Sequence, residues 1–323
     1  MNSTREILKT PDRASNTFEG IGTAPAHVGE LVQLMAPFYG RLYRCLVTLP
    51  CPELYSRCTV KLRRGHELAT VPSTHEKTRT AVQMLLNELG LETFGGTITM
   101  EDNINEGHGC GSSTSNIVAA LRATANALGP IVKEKDYLSP VTTGRLSIAA
   151  EEASDSTMFP TAETILWAQR DTLVLRRWHQ SLPAMTVLSL QLSEEPVNTC
   201  ELEPAKYSQG QIRIFEQDLL PMLDRGLTEQ DPSLVGQAAT ISSIINNEFL
   251  PKPRFDVLLE ITKQYAHGLS VAHSGTYVSF LLSPFASETD LPAQITDEVR
   301  AAGVKVYDRI DFRTDARLKT HQT

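Results

Sequence analysis

The chain has 323 residues, 41% hydrophobic and 21% charged, which excludes disordered and collagen-like classes and suits about two domains at roughly 150 residues each. Its 30 Lys and Arg stand against 38 Asp and Glu, a net charge of −8. Neither a nucleic-acid surface nor an anionic-membrane surface is expected of it, so any phosphate must be held locally, by backbone amides, a helix terminus or a metal. No apolar run approaches the ~18–20 residues of a membrane span. Residues 1–19 lack the apolar core of a signal peptide. Cys45, Cys51, Cys58, Cys110 and Cys200 form no C-x-x-C pair, so neither a disulfide framework nor a zinc ribbon is expected, and a reducing cytoplasm is the natural setting.

In chain order, residues 1–21 carry no apolar periodicity and are expected to be a flexible extension. Residues 43–49 and 58–62 read as strands, with Pro50 and Pro52 marking a turn between them. Residues 73–89 predict a helix: Ser73 and Thr74 offer caps, Ala81, Val82, Leu85, Leu86 and Leu89 form one stripe, and Gly90 stops it. A strand at 96–100 precedes a polar, glycine-dense segment that opens into a helix at 112–128, ended by Gly129-Pro130. A helix over 142–152 and a strand within 164–174 complete a first domain of residues 22–180. A second, residues 181–312, begins with a strand at 185–192. It continues with helices at 209–225, 232–247 and 255–267, strands at 269–275 and 277–282, a helix at 295–302 and a strand at 305–310, leaving a tail of 313–323. This alternation, without a run of buried parallel strands, predicts two α+β layers rather than a doubly wound sheet.

The strongest motif is Gly107-His108-Gly109-Cys110-Gly111-Ser112-Ser113-Thr114-Ser115. Alternate glycines let a backbone fold tightly with its N–H groups exposed, and the hydroxyl run behind them is expected to cap a helix whose positive end faces the same pocket. Together they suit the phosphates of a nucleotide, with Ser112 and Ser113 as ligands for a magnesium ion. A plain glycine loop with an ordinary cap is the alternative. No Gly-Lys dipeptide occurs, so a Walker A loop is excluded, and Ser112 and Thr114 occupy the positions at which G-x-G-x-x-G needs its last glycine. Glu152 and Asp155, three residues apart, form either a solvated helix end or a pair in which one carboxylate holds a metal and the other faces a hydroxyl. A His273-Ser274-Gly275-Thr276 turn between apolar stretches can close over a ligand, although His273 alone reads equally as a structural histidine. Residues 23–31, with Pro25, His27, Gly29 and Glu30, read as a turn bearing a carboxylate. Serine-nucleophile (G-x-S-x-G) and H-E-x-x-H metal motifs are missing.

These four pieces, in this order, resemble the GHMP small-molecule kinases: an A-P-rich opening ending in G-E, a central G-x-G-x-G-S-S loop and a third, glycine-bearing motif. The resemblance narrows to the bacterial L-threonine kinases that supply the aminopropanol arm of cobalamin. Their P-A-S-C-G-E-L-I-Q opening is similar to residues 25–33, their E-P-T-D-S-T-V-F to 152–159, their L-P-K-P to 250–253 and their N-V-A-H-S-G to 270–275. Asn105 stands where the superfamily has a proline, and Leu34 where the opening has a glycine. The resemblance implies a two-domain α+β fold with a ferredoxin-like C-terminal half, and ATP with Mg²⁺ as nucleotide and metal. It implies transfer of phosphate to a small hydroxy amino acid, foremost L-threonine. By the same resemblance Gly107, His108, Gly109, Cys110, Gly111, Ser112, Ser113 and Thr114 bind phosphate, and Ser112, Ser113 and Glu152 hold the metal. Asp155 activates the acceptor, and His27, Glu30, His273, Ser274 and Gly275 bind it. Serine, homoserine or another amino alcohol as acceptor, and a non-catalytic nucleotide-binding protein, are the alternatives. A homodimer is compatible with the chain but not fixed by it.

Overall fold

The structure, a computed structural model, describes residues 17–133, 137–197, 205–273 and 275–316; Cys200 and Ser274 lie outside these. Two long strands open it. β1 (Phe18–Phe38) and β2 (Arg41–Arg64) form an antiparallel hairpin closed by Tyr39 and Gly40, both at positive φ (48° and 75°), which matches the right-handed strand twist. The first strand therefore takes in residues 18–21, which the sequence assigned to an extension; they pair with residues 59–62. The sequence gives little hint of β1 because residues 24–32 are all buried, on both faces, so no alternation of apolar and polar side chains appears.

The turn expected at Pro50 and Pro52 is instead a bulge within a continuous strand. Pro50 pairs with His27 and Cys51 with Ala26, but the next pair is Tyr55 with Pro25. A proline cannot donate to a ladder, and both prolines sit where the register already slips.

β3 (Leu68–Val71) runs parallel to β4 (Phe94–Asp102), and α1 (Glu76–Glu88), α2 (Ser112–Leu128) and α3 (Pro140–Glu151) pack over this half. Helix α2 has the expected bounds, α3 starts two residues before the expected 142, and α1 starts three residues after the expected 73, its N-cap being His75, with no side-chain bond, in place of Ser73 or Thr74. Val82, Leu86, Ile117, Leu121 and Leu146 are fully buried in the core between helices and strands. The single strand expected within 164–174 is a hairpin, β5 (Thr164–Ala168) and β6 (Leu173–Trp178), reversed at Thr172 with φ of 55°.

The second half contains β7 (Thr186–Gln191), α4 (Gln209–Ile214), a π-helical turn (Phe215–Leu219), α5 (Leu220–Thr228), α6 (Pro232–Asn247), α7 (Phe255–Tyr265), β8 (Gly268–Val271), β9 (Tyr277–Leu282), α8 (Leu291–Ala301) and β10 (Asp308–Arg313). Val187, Tyr277 and Leu281 pack with α5 and α6, whereas Leu188, Leu190, Val278 and Phe280 pack with α7 and α8. Helices thus cover both faces, which is why β7 and β9 are buried at every position. β10 runs through Arg313, and Thr314 N–H donates to Met185 O at 3.0 Å, so the ordered chain extends past the expected start of the tail. We place the division between the halves near Ser181, in the connection from β6 to β7.

One sheet spans both halves in the order β10-β7-β9-β8-β1-β2-β4-β3. Among the described residues, the registered pair across the β1–β8 junction is Glu30 with Val271. That junction brings the opening segment against the third motif, and the α+β class is the one the sequence predicts.

Candidate active site

The glycine loop joins β4 to α2. Gly107, Gly109 and Gly111 have φ of 76°, 80° and 68°, the left-handed region that only glycine enters without strain. The loop is stapled to three other segments: Gly107 O accepts from Val197 N–H at 2.7 Å, His108 O from Thr276 N–H at 3.0 Å and Cys110 O from His27 N–H at 3.2 Å. A Cβ on Gly109 would lie 2.6 Å from Gly275 Cα, so the third motif packs directly on the loop. Helix α2 starts at Gly111 with no side-chain cap, contrary to the expected hydroxyl cap. The amides of its first turn and the positive end of its dipole are left for a ligand. Gly107, Gly109, Cys110, Gly111, Ser112, Ser113 and Thr114 line a cleft of about 380 Å³. His108 does not; its Nδ1 lies 3.0 Å from both Thr276 Oγ1 and Gln191 Nε2. Burial pushes the Cys110 thiol up, so it stays a neutral wall of the cleft.

The carboxylates come from the end of α3. Glu151 is its last residue, and Glu152 turns the chain at a positive φ of 73° into the 153–159 loop. Glu151, not Glu152, faces the hydroxyls of α2: its Oε1 accepts from Thr114 Oγ1 at 2.7 Å. Burial raises the Glu151 pKa to about 7, against the pull of hydrogen bonds from Ser113 and Thr114. Glu152 lines the cleft from an exposed position. Asp155 Oδ2 lies 2.9 Å from His27 Nε2, and a Cβ on Gly111 would come within 2.3 Å of that nitrogen and 2.9 Å of that oxygen. The 153–159 loop is braced from behind. Thr48 Oγ1 accepts from Ser156 N–H and Oγ at 3.1 and 2.8 Å, and Trp167 Nε1 donates to Ser154 O at 3.0 Å.

His27 is buried, and burial opposes a charge on its ring while Asp155 and Glu30 favour one, a balance that lifts its pKa to about 9. The Gly29 N–H, however, points at His27 Nδ1 at 3.0 Å and requires a lone pair there. In this geometry the Nε2 proton is donated to Asp155, and the charged ring that the raised pKa favours would have to release the Gly29 bond.

Close to this pair, Glu30 Oε2 accepts from the main-chain N–H and from Nδ1 of His273, at 3.1 and 2.9 Å. Although burial works the other way, these bonds hold the Glu30 pKa down and keep the carboxylate ionised. His27, Glu30 and Asp155 offer ligand atoms within 4.8 Å of one another. Of the acceptor-binding residues expected from the sequence, Glu30 and His273 line the cleft, and His27 supports Asp155. Gly275 lies against the phosphate loop, and Ser274 is outside the described residues. Sequence reasoning missed Glu151, the Gln33–Gln169 pair (3.2 Å) and Asn246, all on the cleft wall. It also gave no role to Lys252, whose buried Nζ donates to Gly275 O at 2.9 Å and whose pKa burial lowers to about 8.

Residues 76–153 match the family model for the GHMP kinases N terminal domain. A homoserine kinase from Cytophaga hutchinsonii shares the fold at a TM-score of 0.66 and 17% identity, over 96% of this chain and 98% of that one. The mevalonate kinase of L. major, solved with R-mevalonate, shares it at 0.55 and 12% identity, over 98% and 99%. Residues 76–153 thus match the N-terminal domain of the GHMP kinases, and the chain as a whole has the fold that these two kinases share. Among curated relatives it is similar to the L-threonine kinase of Citrobacter freundii, 27% identical over 278 residues, 84% of this chain and 88% of the relative. The L-threonine kinase of Salmonella typhimurium is 28% identical over 190 residues, 57% of this chain and 59% of that protein.

Proposed function

We propose that the protein transfers the γ-phosphoryl group of ATP to the hydroxyl of a small hydroxy amino acid, L-threonine, giving O-phospho-L-threonine and ADP. The observation that carries the reading is the junction at Gly111, where the first amides of α2 stand beside an Asp155 carboxylate held by His27. Phosphoryl transfer demands positioning and charge neutralisation more than covalent chemistry. The loop amides from Gly107 to Ser113 and the uncapped α2 terminus supply dipoles for the β- and γ-phosphates. The His27 bond fixes Asp155 through Oδ2 and offers Oδ1 to the acceptor hydroxyl. The acceptor oxygen bonds to Pγ, the bond from Pγ to the β–γ bridging oxygen breaks, and the hydroxyl proton passes to Asp155.

The donor set on this side of the cleft fits magnesium: hydroxyls of Ser112, Ser113 and Thr114 with the half-buried Glu151 carboxylate beside them, all hard oxygens. Glu151 is the acidic ligand we favour, with Glu152 at the lip; bound there, Mg²⁺ supplies neutralisation of the phosphate charge. The threonine assignment is supported by the two L-threonine kinases to which the chain is similar. A role in supplying phosphothreonine for the cobalamin side chain, in a reducing cytoplasm, is the biological setting we propose. Buried Cys45, Cys58 and Cys110, none of them in a disulfide, accord with that compartment, and no helix among the described residues is long and apolar enough to cross a membrane. The test is ADP release with Mg-ATP against L-threonine, L-serine, L-homoserine, ethanolamine and 1-amino-2-propanol. Preference for L-threonine is the expected result. Preference for another acceptor moves the substrate, and ATP binding without any turnover overturns the kinase assignment.

A further inference from the structure

Among the described residues, three cationic side chains line the cleft: Arg44, Lys77 and Arg170. Lys77 stands at the metal end, in the first turn of α1, where its charge acts on the Glu151 carboxylate. Arg44 and Arg170 stand at the other end. Strand β1 gives the order along the cleft: His27 meets the phosphate loop at Cys110, Gln33 reaches Gln169, and Met35 pairs with Arg44. Main-chain bonds also tie the two arginines to the loop that carries Asp155. Ser154 N–H donates to Gln169 O at 2.9 Å, and Gln169 N–H donates to Arg44 O at 3.2 Å, with Arg170 the next residue along.

Among the described residues neither arginine has an acidic partner. Arg44 is half-buried. Its Nη2 donates to Ala205 O at 2.9 Å and its guanidinium lies 6.0 Å from the centre of the Tyr207 ring, which leaves most of its planar fork unspent. Burial lowers the Arg44 pKa and the Arg170 charge adds to that, against the pull of Tyr207, so the two cations feel each other. Like charges gathered on a partly buried wall are costly until an anion joins them. Guanidinium forks match the two oxygens of a carboxylate. We infer that Arg44 and Arg170 take the α-carboxylate of the acceptor, while Asp155 takes its hydroxyl. The inference rests on the reading of the chain as a hydroxy-amino-acid kinase. It goes further by making the carboxylate a requirement, so that amino alcohols, which offer a hydroxyl and an ammonium alone, are poor acceptors. The two anions of the reaction are then held at separate ends of one cleft, the phosphates by the glycine loop and the carboxylate by the arginines.

The test compares kcat/KM for L-threonine, L-threoninamide and 1-amino-2-propanol at saturating Mg-ATP. In the parent enzyme, removing the carboxylate charge or the whole carboxyl group is expected to lower kcat/KM by about 10-fold or more, because charge-assisted hydrogen bonds are lost. Arg170 is exposed, which makes Arg170→Gln the cleaner variant to fold. It is expected to reduce the preference for L-threonine over 1-amino-2-propanol by about 10–100-fold, through a raised KM for L-threonine. Arg44→Gln is expected to act in the same direction, and Arg44→Lys, which restores the charge without the fork, to recover part of the preference. Equal parent rates on the three acceptors overturn the carboxylate subsite without needing any variant, and leave the kinase reading standing. A loss in Arg170→Gln shared equally by L-threonine and 1-amino-2-propanol overturns it too, as does a raised KM for ATP with the preference kept, which would give the guanidinium to a phosphate. A collapse of preference in Lys77→Gln instead moves the carboxylate to the metal end and overturns it as well. A parent that binds ATP yet phosphorylates no hydroxy amino acid and no amino alcohol overturns the underlying reading, and the subsite with it.

Discussion

The Gly111→Ala substitution tests the linkage between the phosphate loop and the acceptor-activating pair. Gly111 has φ of 68°, and the added Cβ would stand 2.3 Å from His27 Nε2 and 2.9 Å from Asp155 Oδ2. Backbone strain for a non-glycine residue in this region costs about 1–2 kcal/mol. The clash adds to it, because the neighbouring atoms belong to a buried imidazole and a hydrogen-bonded carboxylate. Relief requires His27 or Asp155 to move on the order of 1 Å, a displacement that costs catalysis about 10²-fold. Gly40→Ala is the control: its φ is 75°, yet nothing lies within 4 Å of the added carbon. Denaturant unfolding and steady-state ADP release on both variants separate the two costs. Gly40→Ala is expected to lose about 1–2 kcal/mol of stability with kcat intact, and Gly111→Ala to lose more stability and about 10² in kcat. A Gly111→Ala enzyme with kcat within threefold of the parent refutes the coupling of loop and base.

Asp155→Asn is expected to lower kcat by about 10²–10⁴ while ATP still binds, as measured by ADP release and isothermal titration; near-parental turnover removes Asp155 as the base. Glu151→Gln is expected to raise the half-saturating free Mg²⁺ about 10-fold or more, whereas Glu152→Gln changes it less; the reverse order returns the metal role to Glu152. Lys252 provides a pH test. Its pKa falls from 10.5 to about 8 on burial, so between those values the unfolded chain holds a proton that the folded chain has released. Stability then rises with pH across that window, by roughly 3 kcal/mol from this group. Denaturant midpoints at pH 7.5, 9 and 10.5 in the parent and in Lys252→Met isolate the effect, since other groups titrate in both. Parallel pH profiles contradict it.

The parts of the site that lie on one stretch of chain were legible in the sequence. Gly107, Gly109 and Gly111 betray themselves because a backbone at positive φ needs glycine, and helix α2 follows them with the predicted bounds. What the sequence concealed are the relations between distant segments. Strand β1 carries no alternation because residues 24–32 are buried on both faces, and Pro50 and Pro52 mimic a turn where the register slips. Glu151 and Glu152 are identical as letters, and only the left-handed turn at Glu152 decides which faces Thr114. The tautomer of His27 depends on an amide two residues away, and the His273–Glu30 contact spans 243 positions of sequence. No local pattern encodes such pairings; they follow from sheet order, with β8 beside β1.

The most direct test of the central claim offers the purified protein Mg-ATP with an equimolar mixture of L-threonine, L-serine and L-homoserine, and identifies the phosphorylated product by mass. The account predicts O-phospho-L-threonine as the dominant product, formed in equal amount with ADP. A dominant phosphoserine or phosphohomoserine, or ATP bound with no acceptor phosphorylated, would contradict it.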